Sequence, residues 1–561
     1  MKKQALIFYF ILIIILTETM LLFCLGKPKQ ESDPAQFQYQ YSDIYKRFFR
    51  KEDKLFIPQR PHNNAANFLV VKPDDTIRIF IVGGSAAYNF GYFDFKRMLK
   101  AASPDKNFEV ICCGMGGYDS YRDILVEKEV LSYNPDLIVV FSGNNEFYDQ
   151  VRMNLGVYYV NKFLRRLWIY RSLQDKFLQF ANKSNFVRHR SRENKLSDFN
   201  SNMRIIFRLA RAKKVPIILC TLPANFSDYP PYGKTPIDEH FIFGQLLFDN
   251  GRYQEAIREY RAFLEDDPNN AYGFYFLGQV YQTVKDYAKA KENYLKALDL
   301  DFGSGGRSSV QSNNIIRNVC REENVYLADL EWEFIKISQN ALLGFDYFTD
   351  NCHWYFDYNP LVGKIIINTM IDNKILGAFS RDSDTYKQRI NLANFVPPVL
   401  NKAEENNWIE EVLITNAVWR VFDFPQGINE RAISSFYLLY LKNPEHLWRV
   451  TNVKEKIEKI ILGNFWTKDY VTNFDGNWAR VLAHIGETYR RLKIFERAIL
   501  CFTKSISLND KEPYSYLGCA LAYFSSGDKR KGLVYFNKAR ELLNKPEAKY
   551  YQDILHKLYN I

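Results

Sequence analysis

The sequence predicts an α/β protein, a three-layer parallel sheet, joined to all-α helical repeats. Two observations predict it. Short apolar strands, most of them ending in glycine-rich or polar turns, alternate with helical stretches. Between the fourth and fifth of these strands, glycine, alanine and tyrosine recur 34 residues apart.

The strands fall at residues 77–82, 108–113, 136–141, 215–220 and 325–330. The first runs into Gly83-Gly84-Ser85, the second into Gly114-Met115-Gly116-Gly117 and the third into Ser142-Gly143-Asn144-Asn145. Helical stretches such as 120–133 and 201–213 lie between them. That alternation calls for a parallel sheet wrapped on both faces, with chemistry at the carboxyl ends of the strands. Cys112 and Cys113, adjacent on the second strand, are expected to point to opposite faces.

The repeat is carried by Gly244, Ala256 and Tyr260, which return as Gly278, Ala290 and Tyr294, with Pro268 closing the first copy. Gly486, Tyr489, Ala498 and Phe502 form a further copy, and Gly518, Gly532, Phe536 and Ala539 a looser one. Small residues where two helices cross, with aromatics filling the gap, resemble tetratricopeptide repeats. That resemblance implies a protein partner held by the helical repeats. Two repeats alone bury too little, so each pair is expected to dock on a neighbour.

Composition narrows the alternatives. With 47% hydrophobic and 25% charged residues the chain is neither disordered nor a disulfide scaffold. The 75 Lys and Arg exceed the 64 Asp and Glu by 11, with no long basic run, so no nucleic-acid partner is expected. Eight cysteines without C-x-x-C spacing read as buried thiols. The histidines outside the site below, His62, His189, His240, His446, His484 and His556, form no ligand set, so neither cofactor nor metal is expected. Nucleotide-binding glycine motifs are missing from the strand ends.

Lys2 and Lys3 precede apolar runs at 5–16 and 20–25, interrupted by Thr17-Glu18-Thr19. Together these runs reach about 20 residues, the length of a membrane-spanning helix. The expectation is an N-terminal membrane anchor with the rest of the chain extracytoplasmic. A cleaved signal, leaving a secreted or periplasmic protein, is the alternative. The expected organisation is an anchor or signal over 1–29, a lead-in over 30–75 and the α/β domain over 76–234 and 303–378. An inserted repeat pair occupies 235–302. A helical region follows at 379–475, then repeats over 476–545 and a last helix over 546–561.

Four blocks carry the chemistry: residues 82–87, 114–120, 143–146 and 350–353. A serine at a strand-to-helix turn presents a hydroxyl. A glycine turn lets a backbone N–H approach a developing oxyanion, and an asparagine side chain adds a donor. An aspartate beside a histidine holds a base in the right tautomer. Each block alone is weak, since Asp553 and His556 repeat the Asp-x-x-His spacing elsewhere. The signal is their conjunction at successive strand ends.

In that order the blocks resemble those of the SGNH (GDSL-type) hydrolases, over 76–234 and 303–378. The resemblance implies a flavodoxin-like sheet and a Ser-His-Asp acyl-enzyme mechanism. Ser85 would be the nucleophile, His353 the base and Asp350 its orienting partner. The N–H groups of Ser85 and Gly117 and the Asn145 side chain would form the oxyanion hole. The chain departs from the family's usual wording at Gly84 and Glu146, each in place of an aspartate, and at Cys112, in place of an asparagine. The α/β-hydrolase elbow G-x-S-x-G fits less well, because residues 83–87 miss its last glycine. Tyr118, Phe147, Tyr148, Trp354 and Tyr355 flank the blocks and read as packing. Arg152 reads equally as structural or as facing an anionic substrate. The expected function is an esterase acting on O-acyl groups of cell-envelope carbohydrate or lipid. The alternatives are an envelope scaffold with a vestigial serine site and an O-acyltransferase using the same atoms.

Overall fold

The computed structural model describes residues 47–59, 65–91, 94–148, 155–165, 191–301, 306–377, 427–442 and 478–560, with isolated positions between them. The proposed anchor, Arg152 and most of the 379–475 region lie outside the described residues.

Among the described residues eight strands form two sheets. β1 (Phe49–Glu52), β2 (Leu55–Pro58) and β3 (Phe68–Leu69) make a small antiparallel sheet within the stretch read as a lead-in. β4 (Thr76–Gly83), β5 (Asn107–Gly114), β6 (Leu137–Phe141), β7 (Ile217–Cys220) and β8 (Tyr326–Ala328) make the expected parallel sheet, in the order β5-β4-β6-β7-β8. All five residues of β6 are buried, as befits a strand covered on both faces.

Alternation along the strands divides the apolar side chains between two cores. Ile79, Ile81, Cys112, Val139 and Phe141 face one side, with the helices Ser85–Phe90, Phe95–Ala102 and Asn359–Asp372. Phe80, Val82, Cys113, Ile138 and Val140 face the other, with the helices Ser120–Val130, Arg192–Ala212 and Val310–Glu323. Cys112 and Cys113 thus point to opposite faces, and the seven described cysteines are all free and buried. The small sheet lays Phe48, Phe49 and Phe68 on the second core, around Tyr133.

Between β7 and the helix Val310–Glu323 the described residues form the helices Glu239–Asp249, Tyr253–Asp266, Ala271–Thr283 and Tyr287–Leu300, each packed on the next. A Cβ on Gly244 would lie 3.0 Å from the Tyr260 ring, and one on Gly278 2.8 Å from Tyr294. The glycines recur because the aromatic of the following helix takes the place of a side chain there. The same device joins Gly486 to Phe502 between the helices Trp478–Arg491 and Phe495–Leu508. The inserted helices share the first core with the sheet, Phe226 meeting Tyr294 at 6.5 Å. They also meet the C-terminal helices, Ile242 and Leu246 packing with Leu517, Leu521, Ile554 and Leu555. Each repeat pair therefore buries its apolar face on a neighbour.

Candidate active site

The order β5-β4-β6 reverses direction at β4, and the carboxyl ends of β4 and β6 at such a switch point are the usual ligand position in parallel sheets. Two hydrogen bonds fix the end of β4. Gly84 N–H donates to the Phe141 carbonyl (3.2 Å) and Met115 N–H to that of Gly83 (3.1 Å). Gly83 has φ +154°, and a Cβ there would sit 2.2 Å from the Phe141 carbonyl oxygen. Only glycine lets the strand turn here. Ser85 follows, partly exposed, as the first residue of its helix.

Gly117, at φ +67°, turns the second block so that Asp119 caps the helix Ser120–Val130. The third block is locked onto that helix. Glu146 accepts the Ser120 N–H (2.8 Å) and hydroxyl (2.7 Å), and the Ser142 hydroxyl donates to Asp123 (2.7 Å). Burial pushes the Asp123 carboxyl well above the usual range. The Asn145 amide donates to the Tyr118 carbonyl (2.9 Å), and Asn144 accepts the Ser308 N–H (2.9 Å).

The last block folds around Asp350. One carboxylate oxygen accepts the N–H groups of Cys352 and His353, both at 2.8 Å, and the other lies 2.6 Å from His353 Nδ1. This assigns the Nδ1–H tautomer and leaves Nε2 as the acceptor. Burial disfavours the imidazolium, but Asp350 and then Cys352 outweigh it and push His353 well above the ordinary histidine range. Burial likewise opposes ionisation of Asp350, yet His353 and the two N–H groups hold it below the usual carboxylate value. The His353 side chain keeps 25% of its surface exposed, enough for contact with a substrate.

Two links bring this block to the strand ends. Trp354 lies 6.4 Å from Phe141, and its indole donates to Asn359, whose amide donates to the Asn89 carbonyl in the Ser85 helix. Asn225, just beyond β7, donates its N–H to the Asn351 carbonyl and its amide to that of Asp350, both at 3.0 Å. Asp350 and His353 are thus paired, and Asn145 stands over Gly84. No hydrogen bond joins the Ser85 hydroxyl to His353 among the described residues. Tyr118, Phe147 and Trp354 are buried as packing residues.

Sequence reasoning missed Asn225, which has no local signal, and Cys352. The Cys352 sulfur lies 3.7 Å from His353 Nδ1 and 3.9 Å from Nε2. The expectation of no metal rests on the histidines outside this block, and His353 itself has an aspartate and a cysteine beside it. One ligand atom each of Asp350, Cys352 and His353 lie within 4.8 Å of one another. Adjacency to His353 was the available signal.

The tetratricopeptide-repeat families match residues 244–284 in one form and 271–303 and 479–512 in another. Comparison with curated proteins gives no match. Among solved structures, the chain is similar to a GDSL-like lipase from Bacteroides thetaiotaomicron, at 12% identity over 54% of this chain and 89% of that one, TM-score 0.25. It is also similar to a tetratricopeptide protein of Thermus thermophilus, at 13% identity over 57% of this chain and 100% of that one, TM-score 0.14. The fold assignment rests on the strand order and the repeat matches: a parallel α/β sheet of the architecture expected from the SGNH resemblance, carrying tetratricopeptide repeats at 244–303 and 479–512.

Proposed function

We propose that the chain is an SGNH-type serine esterase acting on O-acyl groups, of cell-envelope carbohydrate or lipid. The observation that carries this reading is the Asp350–His353 pair, tied through Trp354 and Asn359 to the helix that Ser85 opens. With Nδ1–H held by Asp350, Nε2 takes the Ser85 proton as Oγ attacks the ester carbon. The carbonyl electron pair moves onto oxygen, to be met by the N–H groups of Ser85 and Gly117 and by Asn145. One Asn145 N–H is spent on the Tyr118 carbonyl, and the second is left for the oxyanion. Collapse expels the alcohol, protonated by His353. Water then repeats the sequence on the acyl-enzyme, and a sugar hydroxyl in its place makes the site an O-acyltransferase.

The repeats supply a surface for a protein partner. Export through residues 5–25 belongs to this proposal. Among the described residues no helix is long and apolar enough to cross a membrane.

A second reading, an envelope scaffold with a vestigial serine, is favoured by the missing Ser85–His353 hydrogen bond. Catalytic hydrogen bonds often tighten only with substrate in place, so this alone does not displace the esterase. Fluorophosphonate labelling separates the two. The esterase reading expects labelling of the wild type that is lost in Ser85→Ala and His353→Ala. A folded wild type that stays unlabelled supports the scaffold instead.

A further inference from the structure

The helix Leu155–Leu164 follows the third block and turns an apolar face to solvent. Its inward side is marked by Tyr158 and by Arg165, which continues the turn through its N–H bond to the Asn161 carbonyl; both are buried. Tyr159, Val160 and Phe163 are exposed at 48, 59 and 64%. At about 100° per residue these three share an arc of about 100°, opposite Tyr158 and Arg165. A surface helix ordinarily points polar side chains that way. Leu173, exposed at 64%, adds a further apolar side chain nearby in the chain.

Basic charge frames this face. Lys128 Nζ lies 4.9 Å from the centre of the Tyr159 ring, and Lys162 Nζ 5.6 Å from that of Tyr158. The stretch of chain to which the helix belongs, residues 152–192, holds ten Lys and Arg against one acid, Asp175. That is an excess of nine, where the whole chain has eleven. Lysine and arginine beside exposed aliphatic and aromatic side chains suit a helix lying in the headgroup region of an anionic bilayer. A second copy of the chain would bring like charges together. A soluble polyanion would meet the charge but leave Val160 and Phe163 in water.

We infer that the Tyr159, Val160 and Phe163 face of this helix docks on an anionic lipid surface. The three side chains enter the boundary between headgroups and acyl chains, and Lys128 and Lys162 meet lipid phosphates. This contact belongs to the folded domain. It is separate from any attachment through residues 5–25, and it does not depend on the esterase reading.

The test places an environment-sensitive nitrobenzoxadiazole probe on full-length protein carrying Phe163→Cys, Val160→Cys or Trp332→Cys. Trp332 is the control, an exposed apolar residue set between Glu331 and Glu333. The signal of native cysteines is subtracted with the unsubstituted protein labelled alike. Vesicles are phosphatidylcholine alone or with an equal part of phosphatidylglycerol. The expected result is a blue shift at the Phe163 and Val160 positions in the mixed vesicles, quenched by nitroxide-labelled lipid, with no such change at the Trp332 position. The shift is expected to weaken in phosphatidylcholine alone and at high salt. A shift missing at both positions, or equal at the control, overturns the docking. A shift as large in phosphatidylcholine alone overturns the preference for anionic lipid. A shift that needs no vesicles and grows with protein concentration assigns the face to a second copy. One produced by soluble polyglutamate but not by vesicles assigns it to a polyanion, and either result overturns the lipid.

Discussion

The Asn145 amide, beyond β6, donates to the Tyr118 carbonyl, beyond β5, across the face of Gly84 at the end of β4 (2.9 Å). A Cβ on Gly84 would lie 2.7 Å from the Asn145 nitrogen and 2.9 Å from the Tyr118 oxygen. The glycine that replaces the family's usual aspartate is therefore required by this pair. Gly84→Asp is expected to displace Asn145, to cost about 1–3 kcal/mol in overpacking, and to lower kcat more than it raises KM. Urea unfolding and ester hydrolysis measure the two effects. An unchanged kcat would mean that Asn145 does not meet the oxyanion.

In the proposed esterase His353 acts as base only when neutral, and Asp350 raises its proton affinity well above the ordinary value of 6.5. The acid limb of kcat/KM is therefore expected above pH 6.5, with activity rising as pH climbs through the His353 pKa. Asp350→Asn removes the charge that raises it. The limb should move down and the rate fall on the order of 10⁴-fold, because the tautomer is no longer held. A variant with the wild-type pH profile would separate the pair from catalysis.

A buried cation pair shares one carboxylate. Arg307 and Arg431 both donate to Asp301, at 2.8 and 2.9 Å, with all three side chains almost entirely enclosed. The triad joins the end of the insertion to the helix Glu430–Lys442, and Arg307 also donates to the Asn225 carbonyl (2.7 Å). Asp301→Asn leaves two guanidinium groups without a counter-charge, an expected loss of about 3–5 kcal/mol. Denaturant unfolding measures it, and a change below 1 kcal/mol would show that solvent reaches the cluster.

Much of this architecture was legible because its causes are local. Parallel strands covered on both faces need unbroken apolar runs such as residues 137–141, and their turns need glycine where Gly83 meets Phe141. The repeats were legible because one glycine–aromatic contact recurs at fixed spacing. The small sheet was not. β1 shows three exposed residues of four, and tertiary contacts hold it: Phe49 and Phe68 pack on Tyr133, and Glu129 accepts the Phe48 and Phe49 N–H groups. Nor was the bracing of Asp350 by Asn225, 125 residues away, or the sharing of Asp301, since neither leaves a periodic trace.

His484 makes the acid stability of the C-terminal repeats testable. Its Nε2 accepts the Asn429 N–H (2.9 Å), and its Nδ1 donates to the Arg480 carbonyl (2.7 Å), so the ring is held neutral. Burial is the main cause that lowers its pKa to about 4, against 6.5 for an ordinary histidine. Between those values the unfolded chain binds a proton that the folded chain refuses, so stability falls as pH drops from 6.5 towards 4. The full effect is on the order of 3 kcal/mol. Glu487, held by Arg490 and Arg491 at about 2, loses its own contribution only below its ordinary 4.5, which keeps the two windows largely apart. His484→Gln is expected to be less stable than wild type at pH 7 but to lose less stability between pH 6.5 and 4.5. Thermal unfolding across that range measures the difference, and parallel curves for the two proteins would assign the acid sensitivity to another group.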